Sequence, residues 1–110
     1  MTLKGYCSFY KKLYIGESIR HAEKVKWKLK HGAGQLSIYV ITNTSIGDDQ
    51  LEIMHCANLK QPYYKKNPAL VYAIAGSYGE AMDIIIKISD EASEAGMAGK
   101  LLTYLLEPSD

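Results

Sequence analysis

The stretch best placed to do chemistry is Gly76-Ser77-Tyr78-Gly79, set between an apolar run, LVYAIA, and an isoleucine-rich segment, EAMDIIIKI. A glycine-flanked turn from strand to helix exposes backbone N–H groups at the positive end of the helix, which suits a phosphate or another anion. The spacing argues against that use. Neither GxGxxG nor GxxxxGK[ST] occurs, and no lysine follows within the turn. Ser77-Tyr78-Gly79-Glu80 instead spells the S-x-x-E capping box, in which the serine oxygen takes the amide three residues on and Glu80 reaches back to the Ser77 amide. Glu80 and Asp83 also bring carboxylates that would repel phosphate. Tyr78 is left free to project over a neighbouring pocket, so Ser77 and Tyr78, with His55, are the candidates for a small-ligand or enzyme site.

A second candidate is a basic helical face. At about 100° per residue, Arg20, Lys24, Trp27, Lys28 and His31 lie together, opposite Ile19, Ala22, Val25 and Leu29. An aromatic among cations can stack on a base or fill a partner's pocket. The plainer expectation is that Trp27 packs under an aromatic N-terminal arm, with lysine stems and cation–π contacts around it. KQPYYKKN, residues 60 to 67, repeats the mixture on a loop, with Tyr63 and Tyr64 beside Lys60, Lys65 and Lys66. These residues carry the nucleic-acid alternative. The GxxG string of a KH module is excluded here, because it follows a strand and precedes acids. The order helix, three strands, helix resembles a double-stranded-RNA-binding domain, yet the lysine cluster expected at its last helix is replaced by Gly79, Glu80, Ala81, Met82 and Asp83.

Catalytic and metal-binding patterns are weaker. His55 and Cys56 are adjacent, so in a strand they point to opposite faces and make no nucleophile–base pair. His55 reads as a satisfied, partly buried histidine on the face of Leu51, Ile53 and Ala57. His21 and His31 lack the spacing of helical metal ligands. Asp90, Glu91 and Glu94 read as a solvated helix face, and Asp48 and Asp49 as turn residues. No catalytic residue, metal ligand or cofactor is assigned.

These residues need a scaffold, and 110 residues suffice for one. A chain of this size buries about 65% of its surface on folding, and 47% hydrophobic with 23% charged residues is ordinary globular composition. We expect a single domain over residues 1–110, with an aromatic arm at 1–12 and a polar tail at 107–110. No apolar run is long enough for a bilayer span, and residues 1–20 lack a secretory h-region, so a cytoplasmic protein with no membrane partner is expected. Cys7 and Cys56 are too few for a disulfide framework. The net charge is +1, but through Lys66 there are eleven Lys/Arg against five Asp/Glu, and afterwards two against seven. Such segregation makes a partner-binding face, or two halves that attract within the fold or across a dimer.

Leu13 to Ile15 is a short strand candidate. Ser18 offers a cap for a helix that runs to Gly32. Gln35 to Asn43 is apolar on both alternations and reads as a central strand. Turn residues over 44–49 then lead to a second strand from Leu51, paired antiparallel with the first. Pro62 and Pro68 exclude a long helix between Asn58 and Pro68, and Leu70 to Ala75 forms another strand. A helix spans about Tyr78 to Ala95, and Gly96 and Gly99 separate it from a short amphipathic piece ending near Leu106. The fold class is therefore α/β, bordering on α+β: a mixed sheet of three or four strands, two main helices and a short C-terminal helix, in the order β-α-β-β-β-α-α. A right-handed crossover through the first helix can make the strands at Leu13 and Gln35 parallel neighbours.

On the long helix Ala81, Ile84, Ile85, Ile88, Ala92 and Ala95 trace the core stripe. Met82, Ile86 and Ser89 form a flank broader than one contact needs, so either the last helix or another subunit covers it. The segments LYIGESI, GQLSIYVI, DQLEI, QPYYKKN and AIAGSYGEAMDII together resemble a family of small uncharacterised bacterial proteins of clostridial type. That resemblance implies a compact cytoplasmic α/β domain and brings no active-site residues. The expected function is a non-catalytic binding module that self-associates, as a homodimer through the C-terminal helices. A nucleic-acid binder and a ligand binder or enzyme near the Gly76–Gly79 turn are the alternatives.

Overall fold

In a computed structural model, residues 7–31, 37–43, 51–60 and 69–106 are described. Four strands, β1 (Cys7–Ile15), β2 (Tyr39–Asn43), β3 (Leu51–His55) and β4 (Ala69–Ala75), form one mixed sheet in the order β1-β4-β2-β3. Among the described residues three α-helices accompany them: α1 (Ala22–His31), α2 (Tyr78–Glu94) and α3 (Leu101–Leu106). The α/β class and the order of elements are those expected.

The topology departs from expectation at β1. β1 runs parallel to β4, not to β2, and β4 lies between them, antiparallel to β2. The reason is burial: Val71 to Ala75 are all within the core, and a run this apolar needs a strand on each side and a layer on each face. The β2–β3 pair is antiparallel, as expected. β1 also begins earlier than its sequence suggests, so residues 7–12 of the expected extended arm belong to the sheet, with Phe9 and Tyr10 packed on the core. Cys7 to Phe9 pair with Ala69 to Val71, the register then shifts, and Tyr14 and Ile15 pair with Ala73 and Ile74. The intervening bulge, which contains exposed Lys11 and Lys12, breaks the alternation that would mark a strand.

Neighbouring strand residues point to opposite faces, and the core divides accordingly. Val40, Met54, Val71 and Ile74 pack with Leu29 of α1, supported by Phe9, Leu13, Ile19 and Val25. Ile41, Tyr72, Ala73 and Ala75 pack with Ala81, Ile84, Ile88 and Ala92 of α2 and with Leu101 and Leu105 of α3. Hence α1 covers one face of the sheet, and α2 with α3 the other.

Helix α1 starts at Ala22, later than the Ser18 cap implied, and Val25 N–H donates to His21 O. Ser18 is committed elsewhere, as shown below. Cys56 to Lys60 form a short 3-10 helix and do not continue β3. Helix α2 ends in a Schellman motif: Gly96 has φ of +80°, its N–H donates to Ser93 O, and Met97 N–H donates to Ala92 O at 2.7 Å. That reversal returns the chain so that α3 packs on the β1 side of α2. Tyr14 Oη donates to Glu91 Oε1 at 2.6 Å, and Tyr104 Oη from α3 reaches the same oxygen at 3.3 Å.

Candidate functional site

The parallel neighbours β1 and β4 are each followed by a helix, and those helices go to opposite faces of the sheet. Such a divergence is where α/β sheets place ligands, beyond the carboxyl ends of the strands. Gly16, Ser18, Gly76, Ser77 and Glu80 stand at this point. Its anion is supplied by the chain: Glu80 Oε1 accepts from Gly76 N–H and from Ser18 Oγ–H, both at 2.7 Å, and Oε2 accepts from Ser18 N–H at 3.0 Å. The Gly76 amide, more than any other contact, holds this carboxyl below the ordinary glutamate value, with desolvation opposing and Ser18 assisting.

The capping box is therefore only half as expected. Glu80 N–H donates to Ser77 Oγ at 3.1 Å, so the serine caps α2. The Glu80 carboxylate passes beyond Ser77 to Gly76 and ties α2 to the β1–α1 turn. Two glycines make room for it. A β-carbon at Gly16 would meet Glu80 Oε1, and one at Gly76 would meet Ser18 Oγ. Gly16 N–H donates to Ile74 O at 2.9 Å, which sets the two turns side by side. This cradle serves the fold, and Ser77 is spent in the cap.

Tyr78 is 54% exposed. Its ring meets Tyr39 edge-on at 6.0 Å, and Tyr39 meets His55 edge-on at 5.3 Å. These three form a row across the α2 face of the sheet. His55 Nδ1 accepts from Ala57 N–H at 3.1 Å, which puts the proton of the neutral ring on Nε2. The sequence candidates Tyr78 and His55 are thus brought near one another through Tyr39, which sequence reasoning missed. The signal was available only as the β2–β3 register, in which Tyr39 opposes His55.

From Tyr78 an apolar stripe continues down α2 at every fourth residue, Met82 at 41% and Ile86 at 53% exposure. α3 lies along the other side of α2, where Glu91 binds Tyr14 and Tyr104 and where Lys87 Nζ sits 5.9 Å from the Tyr14 ring centroid. The flank named from the sequence is therefore not covered by α3. Exposed Asp83 and Asp90 border Ile86, one turn before and one turn after it.

On the opposite layer, α1 presents Lys24, Trp27, Lys28 and His31 along one side, with Arg20 exposed just before the helix. Trp27 is not packed under an arm. It is 57% exposed and stacks on His31 at 4.2 Å with 21° between planes. His31 Nδ1–H donates to Trp27 O at 2.8 Å, which fixes the imidazole against the indole. The contact expected of Trp27 is made by its neighbour: Lys26 Nζ lies 5.6 Å from the Phe9 ring centroid and 3.4 Å from Glu23. Tyr63 and Tyr64 lie outside the described residues, as do Lys65 and Lys66.

Charge is segregated across the sheet. α1 carries four lysines against Glu23, and α2 carries five carboxylates against Lys87. Separated by the sheet, the two sets do not neutralise each other in one molecule. Cys7 and Cys56 are buried and joined in no disulfide, and burial pushes the Cys7 thiol up to about 11, so Cys7 is no thiolate nucleophile at neutral pH. Among the described residues no group of three or more His, Cys, Asp or Glu is placed to hold a metal ion, and no helix is long and apolar enough to cross a membrane. No family model, curated protein or solved structure matches this chain.

Proposed function

We propose that this protein is a non-catalytic interaction domain of the cytoplasm that self-associates through the exposed flank of α2. The observation that carries the reading is the stripe Tyr78, Met82, Ile86, three large apolar side chains between 41% and 54% exposed on the longest helix of the described residues. Leu106 of α3, at 57% exposure, adds to the apolar surface of the C-terminal helices. Isolated exposed hydrophobes are ordinary, but a stripe at helical spacing is a ready contact surface. Covering the exposed half of Met82 and Ile86 contributes roughly 1 kcal/mol each, and a stable interface needs about 800 Å² per partner. The stripe is therefore the centre of a contact, and its rim must come from neighbouring polar residues.

The chemistry at the strand ends supports the same reading. Glu80 is saturated by internal donors, Ser77 is a cap, and the cysteines are buried. Sedimentation velocity across a concentration series tests the proposal. The wild type is expected to gain mass with concentration, and Ile86→Lys, at an exposed helical position, to remain monomeric with unchanged helicity. A wild type that stays monomeric at every concentration refutes it.

One observation favours a second reading. Trp27 stands exposed among Lys24, Lys28 and Arg20, the arrangement by which a protein stacks on unpaired bases. Affinity for a single-stranded oligonucleotide that falls steeply with salt would support it, and no binding at low ionic strength would dismiss it.

A further inference from the structure

We propose that the surface received by the α2 flank is the α1 face of a second copy, so that the chain assembles head to tail. This inference rests on the self-association proposed above and names its missing half. The two faces match in apolar character and in opposite sign of charge. Trp27 of α1 is a knob bordered by Lys24 one turn before, by Lys28 beside it and by Lys30 and His31 one turn after. Ile86 of α2, with Met82 before it, is an apolar seat bordered by Asp83 and Asp90.

Among the described residues neither set of charges forms an ion pair. The pair Lys26–Glu23 is the single salt bridge among the described residues, so Lys24, Lys28, Lys30, Asp83 and Asp90 make no ion pair within the described chain. Lys87, the one cation of α2, is drawn to the Tyr14 ring on the other side of the helix. A flank paired with its own copy would set the Asp83 and Asp90 rims against carboxylates, which is unfavourable for like charges at short range. Paired with α1 the same carboxylates meet lysines, and the apolar centre gains an indole. Tryptophan at the centre of a contact with a charged rim is the usual composition of an energetic anchor. The stack on His31 holds the ring in place beforehand, which lowers the entropy lost on docking.

Because α1 and α2 cover opposite faces of the sheet, a molecule cannot satisfy its own flank. A contact between unlike surfaces is heterologous, and it propagates into a ring or an open chain of copies. The charged rim makes the assembly weaken as salt rises, since exposed pairs are screened beyond about 8 Å at physiological ionic strength.

Two variants in full-length protein decide the matter. Lys24→Glu/Trp27→Ala spoils the α1 face, and Ile86→Lys spoils the flank. All three side chains that change are exposed, and circular dichroism checks that both variants fold. Head-to-tail assembly predicts that each variant alone is monomeric and that an equimolar mixture forms a complex of two copies and nothing larger, because one intact face meets one intact flank. Trp27 is the only tryptophan, so in that mixture the single indole belongs to Ile86→Lys, and its emission shifts to the blue as Lys24→Glu/Trp27→Ala is added. If Lys24→Glu/Trp27→Ala associates as the wild type does while Ile86→Lys does not, the flanks pair with each other: the inference fails and the proposed function stands. If Ile86→Lys associates like the wild type, or the wild type is monomeric, the proposed function fails as well. If a single-stranded oligonucleotide quenches Trp27 of Ile86→Lys and Lys24→Glu/Trp27→Ala leaves its emission unchanged, the α1 face belongs to nucleic acid and the inference is overturned.

Discussion

Replacing Glu80 probes the link that joins the two helix-bearing turns, and the structure allows its size to be worked out. The carboxylate accepts from Gly76 N–H, Ser18 N–H and Ser18 Oγ–H. Hydrogen bonds to a charged group contribute roughly 1.5–3 kcal/mol each when shielded, but both Ser18 contacts are exposed, so the three together are better placed at about 2–3 kcal/mol. Glu80→Ala should cost that amount in urea unfolding. Glu80→Gln, which keeps one accepting oxygen but turns an N–H group toward a donor, should cost about 1–2 kcal/mol. Gly16 supplies the internal control. The three atoms nearest to a β-carbon there all belong to the Glu80 side chain, Oε1 first, so Gly16→Ala should cost roughly 1 kcal/mol in the wild type and clearly less in Glu80→Ala. The pH dependence has a definite sign. Because the folded carboxyl is held below its unfolded value of about 4.3, its contribution is complete above that value and is lost as pH falls through the folded one. The stability gap between wild type and Glu80→Gln should therefore be full near neutrality and shrink under acid. Equal cost of Gly16→Ala in both backgrounds, or a gap that does not change with acid, would refute the account of this clasp.

Further outcomes follow from other elements. Ser77→Ala should cost about 1 kcal/mol, the ordinary value of a helix cap, and leave self-association intact. Ile88, fully buried, and Ile86, two residues earlier and 53% exposed, should separate cleanly: Ile88→Ala costs roughly 2–5 kcal/mol of stability, while Ile86→Ala changes stability by less than about 0.5 kcal/mol and weakens association. Burial, then the hydrogen bond and charge of Glu91, push the Tyr14 phenol above the usual tyrosine range. The folded chain thus keeps a proton that the unfolded chain releases, and stability should fall as pH rises past about 10. Tyr14→Phe should flatten that alkaline loss, as followed by unfolding midpoints across the alkaline range.

Local patterns were legible where one element decides its own fate. The period of α2, the serine at its start and the glycines at its end identify that helix, and the apolar run Val71 to Ala75 identifies a central strand. What failed needed partners distant in the chain. The first half of β1 read as an extended arm outside the sheet because Lys11 and Lys12 sit in a bulge, and its pairing with Ala69 to Val71 joins residues some sixty positions apart. Ser18 looked like a helix cap because a serine before an apolar period usually is one. Its hydroxyl instead goes to Glu80, which also draws the carboxylate past the expected Ser77 amide. Trp27 was expected under the aromatic N-terminal arm among lysine stems, but the indole is exposed and stacks on His31, while α1 turns Leu29 and Val25 to the sheet. The surplus on Met82 and Ile86 was visible in the periodicity, whereas the direction taken by α3, fixed by the Schellman turn at Gly96, was not.

The central claim is that exposed apolar residues of α2 are a self-contact surface. Sedimentation velocity of the wild type and Ile86→Lys, run side by side over the same concentrations, addresses it most directly. The account predicts that the weight-average mass of the wild type rises with concentration while Ile86→Lys stays at the monomer mass of 12.3 kDa. Coincident curves for the two proteins would contradict it.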